Sequence, residues 1–247
     1  MSPNGDSPAD PSTAVRRLSE KQRDDAAALT DVLSSGLLAH VGFQADGGWP
    51  YVIPVAYAPW RDGVIFHGST GSRMFRAMAS GARICATVTH LDALVLARSA
   101  FESSMSYRSA MLFGVCQELA GDEKSEALDV LTDHLLPGRR FGAPNGLRTP
   151  TGKELAATMV LYLPADKWSV KVGNEFADDP AADLASHADL WAGQVAVRTS
   201  LGPAEPDSTA IGLPVPAEVA AWIQDGHPAL AGPVAPAAES AAEEAGT

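Results

Sequence analysis

The segment His67-Gly68-Ser69-Thr70-Gly71-Ser72-Arg73 gathers what an anion site needs. A strand running into a helix leaves backbone N–H groups without partners at the helix start. The hydroxyls of Ser69, Thr70 and Ser72 add donors, and Arg73 adds a charge able to grip a phosphate monoester. Gly68 and Gly71 would let a ligand approach the backbone. The same residues also suit an ordinary capped helix start, with a hydroxyl residue as N-cap and Arg73 in solvent. Neither the Gly-Lys-Ser/Thr ending of a P-loop nor the GxGxxG pattern of a dinucleotide-binding fold is present.

A second cluster, residues 97 to 109, holds Arg98, Arg108, Tyr107 and five serines, including Ser109, between two predicted strands. This composition fits a bound anion or a hydroxyl-rich structural loop. His40, His67 and His90 end or sit in predicted strands, and none has a second ligand at metal-binding spacing, so no metal site is expected. There is no GxSxG elbow, no HExxH and no cysteine beside a histidine base, which argues against the common hydrolases and zinc enzymes. Cys85 and Cys116 stand alone in apolar runs and read as reduced core residues of a cytoplasmic protein.

These residues need strands and short helices to position them. Helical spacing runs from Asp24 to Ser35, then the period changes to that of strands at Leu37 to Phe43, Tyr51 to Ala58 and Val64 to His67. A helix at Ser72 to Ser80 precedes strands at Arg83 to Thr89 and Leu91 to Ala97, separated by a bend at Asp92. Further strands follow at Ser109 to Leu119, Thr158 to Leu163, Trp168 to Val172 and Trp191 to Thr199, with helices at Asp122 to Leu136 and Lys153 to Ala157. Without βαβ alternation, the pattern predicts a mainly β fold, an antiparallel barrel closed or partly closed, with a few flanking helices. Residues 1–20 and 216–247, rich in Pro, Ala, Ser and acids, are expected to be disordered tails around one domain at 21–215.

The 247 residues carry 18 basic and 30 acidic side chains, a formal net charge of -12. Residues 177 to 247 contain eleven acids and only Arg198 as a base, whereas 25 to 176 is nearly neutral. No basic patch interleaved with aromatics occurs, which argues against nucleic acid. Apolar runs break within about ten residues, short of the ~20 a membrane helix needs, and no secretory h-region opens the chain.

The order of segments, with VIFHGSTGSRMFRAMASGARICATVTHLDALVLARSAFESSMSYRSAMLFG and a late Trp-Ala-Gly before a strand, resembles the FMN-binding split-barrel superfamily. Within it, the chain is similar to the pyridoxamine 5′-phosphate oxidase-related flavoproteins that include nitroimidazole-reductase-like proteins. The resemblance implies a homodimer with FMN between subunits and its phosphate on Ser69, Thr70, Ser72 and Arg73. It also implies contacts from Arg108 and Ser109, backbone groups of Val52, Pro54 and Val55 facing the flavin ring, and Trp191 packed near the cofactor. The strand Val52-Ile53-Pro54-Val55-Ala56-Tyr57 and the base-poor C-terminal part lack the basic residues that grip a vitamin B6 phosphate. The expected activity is therefore an FMN-dependent oxidation or reduction of a small, uncharged organic molecule, with NAD(P)H as donor and with Tyr107 and His67 as polar groups near the substrate. The alternatives are a flavin carrier or sensor without turnover, or the same fold holding a deazaflavin or a haem ligated by His40, His67 or His90.

Overall fold

Strands in this chain alternate small or polar residues with aliphatic and aromatic ones, and each such run becomes one side of a wall. The computed structural model describes residues 10–44, 47–142 and 146–230. Along the chain these form β1 (Gln22–Arg23), α1 (Ala26–Ser34), β2 (Leu38–Gln44), β3 (Pro50–Trp60), β4 (Gly63–Ser69), α2 (Arg73–Ala79), β5 (Arg83–Leu96), β6 (Ser104–Val115) and β7 (Gln117–Glu118). There follow α3 (Gly121–Leu135), α4 (Gly152–Ala157), β8 (Thr158–Pro164), β9 (Lys167–Gly173), α5 (Ala181–Ser186), β10 (Gly193–Ala196) and α6 (Ala217–Asp225).

The strands form one antiparallel sheet in the order β1-β9-β6-β5-β2-β3-β4-β8-β7, with β10 added to β5. The chain passes through Cys116 from β6 into β7, which pairs with β8 and so curls the two halves of the sheet toward each other. Gly114 of β6 then lies so close to β8 that a Cβ there would stand 3.0 Å from Leu163 Cδ1. This is an antiparallel split β-barrel: the strand pattern implied an antiparallel barrel, closed or partly closed, and the family resemblance implied that it is split.

Inward residues Val41, Phe43, Tyr57, Phe66, Val88, Leu112, Leu161 and Val170 fill the barrel, and its openings are plugged by two helices. Helix α1 starts on Asp25, whose carboxylate accepts from the Ala28 N–H at 2.8 Å, and buries Leu29, Val32 and Leu33. Helix α2 buries Met74, Phe75 and Met78. A second core lies on the other side of β3, β4 and β8, where Ala127 and Leu131 of α3 pack against Trp60, Ile65 and Val160.

Two departures from the sequence expectation have a common cause. The stretch before residue 21 is tied down in its described part: Val15 N–H donates to Gln22 Oε1, and Lys171 Nζ donates to the Arg17 carbonyl. The stretch after 215 includes α6 and a buried pair, His227 and Ala229, with the His227 ring donating to the Leu135 carbonyl at 3.1 Å. Composition reports the chain's average polarity, whereas docking here depends on single anchors. The rest of the expected tails, residues 1–9 and 231–247, lies outside the described residues. No described helix is long and apolar enough to cross a membrane, and Cys85 and Cys116 are both free thiols.

Gly68 has a packing reason for its identity. A Cβ there would fall 2.4 Å from the Phe75 ring of α2. Gly68→Ala is expected to lower stability by about 2–3 kcal/mol in urea unfolding, and Phe75→Leu in the same chain should recover part of that loss, a coupling read from a double-mutant cycle.

Candidate functional site

The sheet is split along β3. Its residues 57–60 pair with β4, whereas residues 50–56 pair only with β2. The Tyr57 N–H donates toward β2, to the Leu37 carbonyl. In an antiparallel strand the backbone groups of successive residues point to opposite sides, so the even-numbered residues point away from β2. Val52 and Ala56 therefore present N–H and C=O, and Pro54 a C=O, along an edge that no described strand covers.

Beside this edge stands the Ser/Arg segment. Ser72 is the N-cap of α2, its Oγ accepting from the Phe75 N–H, while its own N–H donates to the Ser69 carbonyl at 2.9 Å. Ser69 Oγ accepts from the Gly71 N–H at 3.1 Å, and the Thr70 N–H is held by the Ala157 carbonyl at 3.0 Å. The segment is thus an ordinary capped helix start whose Thr70, Gly71 and Ser72 N–H groups are bonded internally, with Ser69, Thr70 and Arg73 left exposed. The Arg73 guanidinium lies 4.7 Å over the ring of Tyr51, which stacks on Phe43. Arg73 makes no ion pair among the described residues, so its charge is available next to Val52. Gly68 does not open the backbone to a ligand as the sequence suggested, because the Phe75 ring fills the space a Cβ would take.

Register sorts the remaining candidates by face. On the outer surface, His40 of β2 lies between Pro54 and Thr87, and Val52, Gly42 and Cys85 form the adjacent row. Tyr107 and Ser109 of β6 share this face, opposite Leu91 and Thr89. Leu38, Val52, Leu94, Met105, Met111 and Val195 make much of it apolar and exposed. Trp191, 62% exposed, lies against Gly193 at the start of β10. Since Gly193 pairs with Leu96, eleven residues along β5 from the Val52 row, Trp191 sits about 35 Å from that row within one chain. Val55 points inward into the barrel core.

Arg108 requires a correction. The resemblance aims it at a phosphate, but its side chain is only 7% exposed and is consumed by two acids. Nε and Nη2 donate to the two carboxylate oxygens of Asp92 at 3.0 and 3.2 Å, and Nη1 donates to Asp31 of α1 at 2.8 Å. Burial opposes its charge, yet the hydrogen bonds and charges of Asp92 and then Asp31 outweigh it and hold the guanidinium above its usual range. The sequence signal was the bend at Asp92: the β5–β6 register shifts between Leu91 and Ala93, and this bulge re-aims the Asp92 carboxylate toward Arg108. A cavity of about 510 Å³ beside this cluster, lined by His90, Arg108, Arg198 and His227 among others, includes none of Ser69 to Arg73.

Strand alternation puts His67 on the face of Ile65, toward the α3 core and away from Gly68. Its Nδ1 is buried without a partner, and burial lowers its pKa. The His90 ring donates to the Val32 carbonyl at 2.9 Å. The His40 ring is exposed and makes no hydrogen bond among the described residues. No described group of three His, Cys, Asp or Glu residues is arranged to hold a metal ion.

Replacing Arg108 by Met strands two partly exposed carboxylates. The variant is expected to lose about 2–3 kcal/mol in urea unfolding at neutral pH. Adding Asp92→Asn should return a measurable part of it.

Comparison with known proteins agrees with the fold. A sequence model of the pyridoxamine 5′-phosphate oxidase family matches residues 25–172. The FAD and haem binding protein of Mycobacterium smegmatis is 42% identical, with a TM-score of 0.75 over 82% of this chain and 97% of that one. The flavocytochrome Anf3 of Azotobacter vinelandii is 34% identical, with a TM-score of 0.75 over 84% of this chain and 94% of that one. A candidate 5-nitroimidazole antibiotic resistance protein of Bacteroides thetaiotaomicron, 20% identical, shares the fold, with a TM-score of 0.50 over 61% of this chain and 86% of that one. No curated protein matches. The split barrel, its open β3 edge and the matched segment from α1 through β9 make this chain a member of the pyridoxamine 5′-phosphate oxidase family.

Proposed function

We propose that the protein is a flavin-nucleotide oxidoreductase whose cofactor lies along the open edge of β3. The observation that carries this reading is the pairing of an uncommitted cation, Arg73, and the exposed hydroxyls of Ser69 and Thr70 with an edge of unused backbone groups at Val52, Pro54 and Ala56. The first set suits a phosphate and the second suits the polar rim of an isoalloxazine ring. FMN carries both parts, and FAD shares them. Bound there, the flavin would supply the electron transfer. The chain would anchor its phosphate, bond its ring and exclude water with the apolar outer face.

A homodimer completes the site. Trp191 and Val52 lie at opposite ends of one outer face, too far apart to meet one flavin in the same chain. Two outer faces packed about a two-fold axis would bring the Trp191 end of one subunit to the Val52 end of its partner. The exposed leucines and methionines of this face suit such burial. The substrate class that fits is a small, uncharged organic molecule in the cytoplasm, since the free cations at the anchor are taken up by the cofactor.

A second cofactor is favoured by one residue. Two relatives are named for haem or as a flavocytochrome, and of the three histidines considered only His40 presents a ring free of hydrogen bonds on an exposed face with apolar neighbours. It fits an axial ligand, whereas His67 and His90 are committed to the interior. Reconstitution with haem should give a Soret band that His40→Ala shifts or abolishes while flavin binding persists.

For the flavin itself, the purified protein should sediment as a dimer and show a flavin spectrum that NAD(P)H bleaches and an organic acceptor restores. Bleaching without restoration by any acceptor would make it a carrier or sensor. Arg73→Ala should weaken flavin affinity at least tenfold, the equivalent of ~1.5–3 kcal/mol for a charge-assisted contact; unchanged retention would overturn the phosphate anchor.

A further inference from the structure

We propose that the segment from Gly226 to Leu230 is a strap over the cavity beside Arg108, latched by His227 while its ring is neutral and released when the ring takes up a proton. The strap and the cavities it borders touch none of Ser69 to Arg73, Val52 or Pro54, so the latch is independent of the flavin reading.

Two partners fix the state of the His227 ring. The Leu135 carbonyl can only accept, so Nε2 donates to it at 3.1 Å; the Ala229 N–H can only donate, so Nδ1 accepts from it at 3.2 Å. The docked ring is therefore a neutral imidazole with its proton on Nε2. A proton on Nδ1 would set one N–H against another in a residue only 4% exposed, where the lost bond is not replaced by water.

Little else holds the segment. Of residues 174–230 only His227 and Ala229 are buried, and α6 ahead of them buries none. Arg139 meets Glu218 of α6 only at 3.8 Å, and the Trp222 ring, 5.5 Å from that of His227, ties α6 to the same latch. Gly226, at φ +93°, joins α6 to the strap through a backbone conformation that glycine adopts freely. Gly226, His227 and Leu230 wall the cavity of about 510 Å³, while Pro228 and Ala229 border a second of about 450 Å³ that reaches Pro59 and His134. A segment set between two cavities has few buried contacts to lose when it opens.

The surrounding charges favour release once the ring is protonated. The titratable and charged groups about His227 are His134 on α3, His90 and Asp92 on β5, Arg108 on β6, Arg198 after β10 and Asp225 on α6. Asp92 is spent on Arg108, and Asp225 is exposed to solvent. Arg108 and Arg198 oppose a further positive charge. Burial lowers the pKa of His134; its bond to the Gly36 carbonyl acts the other way, and a charge on His227 lowers it further. An imidazole released into water takes up its proton below about pH 6.5. Docking therefore holds in full above that value and weakens as pH falls below it, about tenfold per pH unit for one proton.

The test is amide hydrogen exchange in the full-length protein, followed by NMR from about pH 8 to about pH 5 and corrected for the intrinsic pH dependence of exchange. Protection of the Ala229 N–H should be constant at the upper end and fall about tenfold per pH unit at the lower end. The Val197 N–H, held by the Asp92 carbonyl at the same cavity, should stay protected throughout and so separate release of the strap from acid unfolding. In His227→Gln the amide can donate to Leu135 and accept from Ala229 at any pH, and the fall should disappear. Protection of Ala229 that is independent of pH, that is lost together with Val197, or that falls equally in a docked His227→Gln variant overturns the inference. Should the Gln side chain fail to hold the strap at all, the wild type decides: the His227 ring must titrate with the same midpoint as the loss of protection, and a different midpoint overturns the latch.

Discussion

A buried guanidinium sets the terms for this barrel. Arg108 lies inside the sheet where an uncompensated charge would be prohibitive, and its neutralisation dictates the path of three other segments. Asp92 can reach it only because β5 bulges at that residue. Asp31 reaches it only because α1 is docked across the barrel mouth. The bulge has one more use: the Asp92 carbonyl accepts from the Val197 N–H at 2.8 Å, so the strand that follows Trp191 is held along β5 by the same residue. One charge thus fixes the plug helix, the kink in the longest strand and the last strand added to it.

The open edge of β3 follows from a second constraint. Strand edges invite unwanted pairing, and proteins blunt them with proline, charge or covering elements. Here Pro54 removes one N–H from the exposed row, and Arg73 stands across the Tyr51 ring beside it. Both leave acceptors and a cation facing the gap while giving an incoming strand a poor template. The edge is protected from another strand but remains open to a small polar ring. The exchange of partners at Tyr57, from β2 to β4, is what makes the barrel split rather than closed.

How much of this was legible in the sequence depended on the range of the interaction. The period-2 runs of β2, β3 and β8 and the capped start of α2 are local, and they fall within a residue or two of where spacing put them. The candidate segment Ser69–Arg73 was equally local, since hydroxyls, a glycine and a cation at a strand-to-helix junction are contiguous. What eluded local reading was partnership. Nothing in the composition of residues 97 to 109 separates Arg108, whose charge is spent on Asp31 and Asp92, from an arginine that could meet a ligand; the difference lies 16 and 77 residues away. Gly68 shows the same limit, its identity set by Phe75 on the next element rather than by an approaching ligand. The docked segment at α6 was missed because His227 and Ala229 act as single anchors within an Ala/Pro-rich stretch.

The net charge acquires meaning from where these elements lie. Ten of the twelve negative charges belong to residues 177 to 247, and the part of that stretch that carries β10 runs along the far end of β5, beside Trp191. The exposed Arg73 lies at the other end, at the start of α2. The two-fold pairing of outer faces proposed above would also bring acids toward the Arg73 side of the partner subunit. A phosphate seated directly on guanidinium groups retains its short contacts, because their attraction acts at a few ångströms while the rim acids are screened over about 8–10 Å. A second, phosphate-bearing substrate approaching from outside would, in that arrangement, meet the acids first. The charge distribution thus sets an acid-rich C-terminal part apart from the exposed arginine of the β4–α2 junction, and under the proposed function it favours an uncharged substrate over a phosphorylated vitamin.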